Sequence, residues 1–398
     1  MAMRPIYLDN NSTTACDPRV VEAMLPYFHD IPGNAASRSH PFGWQAEAAV
    51  DQARDQIASL LSVQPKEIIF TSGATEGDNL CIKGVYDMYR RKGNHIITLE
   101  TEHKAVIDAC ERVKQAGARV TYLPVSADGL IDIRKLADAI TEDTILVSIM
   151  WVNNETGVVQ PMKEIGDLCA ERGVFLMSDA TQAVGKMSVR PRDVGVHLMA
   201  FSAHKMYGPK GVGAVYVSSK DPRMRLLPQM DGGGHERGFR SGTLNVPGIV
   251  GLGKAAEIAQ QESADDMGRI TELRDLLESS IVEQIEDVQI NANTEHRLGN
   301  VTNLSFKHVV GERLMSTFNH SVAVSSGSAC TSASTDPSHV LLALGIGEDA
   351  AHSSVRFSIG KYNTQEEIDR VIAATVRGVN RLREESPVWK MYKQGIQP

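Results

Sequence analysis

Between residues 66 and 218, short β-branched runs alternate with amphipathic helical stretches, and this alternation restricts the fold more than any other feature of the chain. "EIIF", "HIITLE", "ARVTYLPV", "TILVSIM", "VFLMSD", "HLMAFS" and "GAVYVS" read as strands. "GDNLCIKGVYDMYRR", "AVIDACERVKQAG", "IRKLADAI" and "MKEIGDLCAERG" read as helices between the first five. Apolar strands separated by helices predict an α/β unit whose mainly parallel sheet is covered on both faces. After a helix near 249–262 the pattern changes. "LRDLLESSIVEQI", "VQINA", "NVTNLSF", "ERLMSTF", "SVRFSIG" and "EEIDRVIAATVRGVNRLREE" predict a smaller α+β unit. With 398 residues there is room for two domains. The expected division is a large α/β domain over 16–260 and a small α+β domain from 1–15 and 261–398, joined by a linker near 260–268.

Composition narrows the class of partner. The net charge is −8 and no basic run is interleaved with aromatics, which argues against a nucleic-acid surface. The longest apolar run, "ILVSIMWV", is too short for a membrane span, and "MAMRPIYLDNNSTT" lacks a signal core. Five cysteines, at 16, 81, 110, 169 and 330, form no C-x-x-C pair, so no structural zinc site is expected. Scattered thiols point to a reducing, cytoplasmic setting. Cys81, Cys110 and Cys169 fall in helical patterns and read as buried, inert thiols. Two look-alike motifs carry no weight. "GLGKAA" follows no strand and reads as close helix packing, and "GGGHERG" lacks metalloprotease spacing.

Ligands of open α/β sheets bind beyond the carboxyl ends of the strands, so the residues after each strand are the candidates. After "EIIF", Gly73, Ala74 and Thr75 open a helix. This is either a phosphate seat or an ordinary helix start capped by Thr75 and Asp78. His103 follows "HIITLE" and suits either stacking on a flat ligand or a structural role. Asn153 and Asn154 follow "TILVSIM" as turn formers. Asp179 ends an apolar strand, where a carboxylate needs a cation, and Gln182 comes three residues later. Ser202, His204 and Lys205 bunch after "HLMAFS", where the lysine is either a surface residue or an amine set to capture an aldehyde. In this order, a phosphate seat, a flat-stacking histidine, a buried carboxylate for a pyridinium and Ser-x-His-Lys are the parts that hold pyridoxal 5'-phosphate.

A run of motifs spanning nearly the whole chain resembles the cysteine desulfurases, the NifS/IscS-like group of class V aminotransferase-fold enzymes. It comprises "YLDNNSTT", "TSGATE", "NNETG", "SDATQAVGK", "SAHKMYGPKGVG", "ERGFRSGTLN", "SSGSACTS" and "VRFSIG". The resemblance implies the pyridoxal-phosphate-dependent transferase fold (fold type I), with conversion of L-cysteine to L-alanine. It assigns cofactor contacts to Ala74, Thr75, His103, Asn154, Asp179, Gln182, Ser202, His204 and Lys205. Thr243 would reach the phosphate of a second protomer, which makes a homodimer part of the site. Lys205 would carry the aldehyde and take the α-proton, with His103 stacking and moving protons. Arg356 and Asn154 would hold the substrate. Cys330, in a long loop of small residues, would take the sulfur as a persulfide and pass it to an acceptor such as an iron–sulfur scaffold protein. It could also serve as a transient iron–sulfur ligand; no other metal site is expected. Relatives often carry Gly-Asn-Pro where this chain has Gly33-Asn34-Ala35, a turn away from the catalytic positions. Two other readings stay open: a selenocysteine lyase or other fold type I enzyme, and a sulfur-relay scaffold.

Overall fold

The computed structural model describes residues 4–220, 223–318, 321–326 and 336–395. Cys330 lies outside them. The seven runs from "EIIF" to "GAVYVS" form one sheet. Its order is Ile68–Thr71, Gly213–Val217, Leu198–Ser202, Phe175–Asp179, Thr144–Ser148, His95–Leu99 and Arg119–Leu123. Gly213–Val217 is antiparallel to both its neighbours, and the other adjacent strands are parallel. Six of the seven strands are buried throughout or nearly so; Arg119–Leu123, at the edge, is only partly buried. That is why these strands read as continuous apolar runs and not as alternating ones. One apolar core lies on each face of this sheet, and a third lies under the second sheet.

The second sheet is antiparallel, in the order Ser325–Ser326, Ser354–Ser358, Val301–Phe306 and Val288–Ile290. The chain start joins this half of the molecule, because Ile6–Tyr7 pairs with Val322–Ala323 and Asp9 bridges to Ser358.

The linker expected near 260–268 is not there. Val246–Gln284 is one helix of 39 residues, begun by Asn245 accepting from the Gly248 N–H. "ADDMG" resembles a break, but it contains no proline, and an isolated glycine costs only about 1 kcal/mol in a helix. Packing along both halves keeps the helix intact. "GLGKAA" lies in its first turns, where a Cβ at Gly253 would come within 2.5 Å of the Ala53 Cα in helix Pro41–Leu61. Helix approach is therefore the work of that motif. The tail helix Pro387–Lys393 packs on its own domain, with Arg383 over the Trp389 ring and Tyr392 stacked on His308.

Candidate active site

The carboxyl ends of the parallel strands open into a cavity of about 520 Å³, lined by Ser72 to Glu76, His103, Asn154, Asp179, Gln182, Ser202, His204, Lys205 and Arg356 among others. The sheet thus brings together every expected cofactor contact except Thr243. That residue is exposed and stands outside the cavity wall. It follows two residues held at left-handed φ, Glu236 at 49° and Arg237 at 58°. Glu236 is fixed there by a buried bidentate pair with Arg54.

Helix Ala74–Tyr89 starts at one end of the cavity. Its N-cap is Gly73, at φ 155°, with no side-chain cap. The first-turn N–H groups are therefore left for a ligand. A Cβ at the neighbouring Gly213 would lie 2.7 Å from the Gly73 Cα, so glycine is needed for this close approach. Of the two readings left open at this helix start, the cap by Asp78 does not hold: Asp78 sits one turn in, fully buried, and among the described residues neither of its carboxyl oxygens has a hydrogen-bond partner.

Asp179 is buried on the cavity wall and accepts one hydrogen bond, 2.9 Å from the Thr181 N–H. Among the described residues it forms no ion pair. A buried carboxylate facing a cavity without a cation is the strongest sign that a cationic group of a ligand belongs there. A protonated pyridine nitrogen fits. Opposite, Lys205 Nζ donates to the carbonyls of Asn11 and Ser12, each at 2.6 Å. His204 Nδ1 lies 3.0 Å from Thr13 Oγ1, and burial, followed by the nearby Lys205, Lys210 and Lys186, brings its pKa down to about 4.

His103 is the N-cap of helix Lys104–Gln115, its Nδ1 accepting from the Ala105 N–H at 3.1 Å. That contact assigns the proton of the neutral ring to Nε2. Burial lowers its pKa, with Lys205 adding to the effect and Asp179 and Asp108 opposing it. Charging the ring would cost the helix its cap. Arg356 is held by Asp9 Oδ1 at 2.8 Å, the Asn154 carbonyl at 3.0 Å and Ser325 Oγ at 3.1 Å. Its Nε is buried without a partner among the described residues.

The sequence reading assigned no role to several residues of the site. Asn11 and Ser12 hold Lys205, and Asp9 holds Arg356; all belong to "YLDNNSTT", a motif quoted for resemblance alone. Glu102 is buried and accepts from the Met150 N–H through one oxygen, the other having no partner among the described residues. Burial, then the charges of Asp179 and Glu102, push the Asp78 carboxyl well above the usual range. Its native form therefore holds a proton that the unfolded chain releases as pH rises above about 4. Stability is lost across that window by up to about 1.4 kcal/mol per pH unit. Cofactor-free Asp78→Asn protein is accordingly expected to melt above the wild type at pH 8, with the gap closing toward pH 4. A gap independent of pH would show that Asp78 is not protonated in the fold.

Cys81, Cys110 and Cys169 are buried, as expected of inert thiols. Burial raises the pKa of Cys81 and Cys110 strongly and brings Cys169 up to about 12. No cluster of metal-ligating side chains occurs among the described residues, and no helix there is long and apolar enough to cross a membrane.

Residues 6–371 match the aminotransferase class-V family. Cysteine desulfurase IscS of Anaeromyxobacter sp. (strain Fw109-5) is 54% identical over 392 residues, covering 98% of this chain and 96% of that protein. Cysteine desulfurase IscS of Escherichia coli O139:H28 is 54% identical over 394 residues, covering 98% and 97%. Among solved structures, a NifS-like protein superposes with a TM-score of 0.88 at 35% identity, covering 96% of this chain and all of the other. A chain this similar over its whole length, with a pyridoxal-phosphate cradle at its strand ends, belongs to the class V aminotransferase family, in the NifS/IscS-like group of cysteine desulfurases.

Proposed function

We propose that this protein is a pyridoxal-phosphate-dependent cysteine desulfurase that converts L-cysteine to L-alanine and hands the sulfur to acceptors for iron–sulfur cluster assembly. The observation that carries the proposal is Asp179, a buried carboxylate with no ion pair among the described residues, which lines with Lys205 a cavity that also holds a free helix N-terminus.

Ala74, Thr75, Ser202 and His204 would hold the phosphate, Asp179 the ring nitrogen, and Gln182 and Asn154 the ring oxygen, with Lys205 carrying the aldehyde. When bound, pyridoxal phosphate supplies an electron sink that makes an amino acid's Cα–H acidic. Lys205 moves that proton at Nζ, kept in place by the Asn11 and Ser12 carbonyls. His103, with its proton on Nε2, would lie against the ring. Arg356 orients the substrate carboxylate; Arg356→Lys, which keeps the charge but loses the planar fork, is expected to raise the KM for cysteine about 10- to 100-fold. Steady-state kinetics check this, and an unchanged KM would remove Arg356 from the substrate site.

Cys330 completes the reaction as a thiolate. It attacks the substrate sulfur, an S–S bond forms and the Cβ–S bond breaks. The electron pair of the broken bond stays on carbon, which takes a proton and leaves as alanine. The product on Cys330 is a persulfide, a form that an acceptor protein such as an iron–sulfur scaffold can collect. A homodimer belongs to this proposal, with Thr243 of each protomer completing the other's phosphate seat; its exposure and its absence from its own cavity support that. A cytoplasmic setting accords with the buried free thiols. Incubation with L-cysteine tests the whole. Alanine and sulfide should appear in equal amounts in the presence of a reductant, and cysteine consumption without alanine would overturn the assignment.

A further inference from the structure

Lys186 closes the motif "SDATQAVGK" and has no place in the chemistry above. It is buried, and it stands behind the site: it does not line the large cavity but borders a small one of about 30 Å³ on the far side. Its Nζ donates to Gln182 Oε1 at 2.6 Å and to Asn11 Oδ1 at 3.3 Å. Gln182 Nε2 in turn donates to the Asn11 carbonyl at 2.9 Å. A carbonyl can only accept, so this contact fixes which end of the amide is nitrogen and leaves the oxygen facing Lys186. Asn11 is itself held, its Oδ1 accepting from Asn300 Nδ2 at 2.8 Å and its Nδ2 donating to the Asn154 carbonyl at 3.2 Å. The turn before Lys186 is equally constrained. Gly185 has φ 77°, and a Cβ there would lie 2.6 Å from the Cβ of Met206, the residue after Lys205.

The position is a costly one for an amine. Burial, then Lys205 and Arg356, lower the Lys186 pKa well below its ordinary value. Methionine could fill the same space without that penalty. Charged or neutral, however, the amine keeps an N–H for Gln182 Oε1, which methionine cannot supply.

We infer that Lys186 is a positioning residue that locks the Gln182 amide, so that Nε2 keeps an N–H directed to the cofactor cavity. The inference rests on the pyridoxal-phosphate site proposed above. Without Lys186 only the Asn11 carbonyl resists a turn of the amide that would bring its oxygen to the cavity and repel an oxygen of the ligand.

The test is a double-mutant cycle on full-length protein stripped of cofactor and titrated with pyridoxal phosphate, using wild type, Lys186→Met, Gln182→Ala and the double variant. Each single variant is expected to bind pyridoxal phosphate about 10-fold more weakly, the worth of one hydrogen bond to a buried group. The double variant should bind no more weakly than Gln182→Ala, because Lys186 then has no amide to hold. Cofactor-free Lys186→Met should melt at or above the wild-type temperature. Lys186→Gln, which keeps a donor on a shorter chain, should recover part of the affinity and guards against a folding defect in the methionine variant. The inference fails if Lys186→Met binds like wild type, if the two losses multiply in the double variant, or if the glutamine variant is as weak as the methionine one. Wild-type protein that takes up no pyridoxal phosphate would instead bring down the functional proposal itself.

Discussion

Lys205→Ala protein is expected to be colourless as purified and to turn over L-cysteine at least about 10⁴-fold more slowly than the wild type, since it loses both a covalent anchor and a general base. The amine is held at the mouth of the strand ends by fixed acceptors, the Asn11 and Ser12 carbonyls. Alanine leaves both carbonyls in place and presents nothing to an aldehyde. The phosphate seat before helix Ala74–Tyr89 and the Asp179 carboxylate are untouched, so the variant should still bind pyridoxal phosphate, reversibly. Borohydride treatment should fix the cofactor's mass on the peptide containing Lys205 in wild type and on no peptide of the variant. Cofactor trapped on any other lysine would refute the assignment.

Cys330→Ser should sever sulfur removal from cofactor binding. The variant is expected to take up pyridoxal phosphate and L-cysteine with affinities within about twofold of wild type, yet to release alanine on the order of 10³-fold more slowly. The reason is ionisation: a thiol is partly thiolate near neutral pH, whereas a serine hydroxyl needs an adjacent base. The three helical cysteines cannot substitute. Cys81, Cys110 and Cys169 are buried, with their thiols pushed far from ionisation. Mass spectrometry of wild-type protein after exposure to L-cysteine without reductant should find one extra sulfur atom, on the Cys330 peptide. A serine variant that frees sulfur at the wild-type rate would reject persulfide chemistry and favour a lyase that needs no enzyme thiol, such as one acting on selenocysteine.

Much of the site could be read from the sequence because parallel strands deliver it. A strand buried on both faces is a continuous apolar run, and the first polar residues after it stand at the ligand edge of the sheet. Asp179, Ser202, His204 and Lys205 were visible for that reason, as were Gly73 to Thr75 at a helix start. A cap by Asp78 stayed open as one of two readings because a position near a helix N-terminus allows it. Whether a side chain at that point faces solvent or the sheet depends on what packs against the helix. The break expected near 260–268 failed for a related reason: local propensity disfavours "ADDMG" only weakly, and contacts along a 39-residue helix outweigh it.

The linear order of residues by itself determined the α/β class, the run of strands, the placing of Lys205 and Asp179 at strand ends, and the family. These depend on periodicity and on short motifs, which are local properties. Tertiary structure alone decided that Asp9 grips Arg356 across 347 positions, that Asn11 joins Lys205 to Gln182 and Asn300, and that Lys186 stands behind the cofactor cavity and not in it. Those contacts form between residues that only the folded sheets bring together, and no local pattern encodes which distant partner a buried amide or amine will meet.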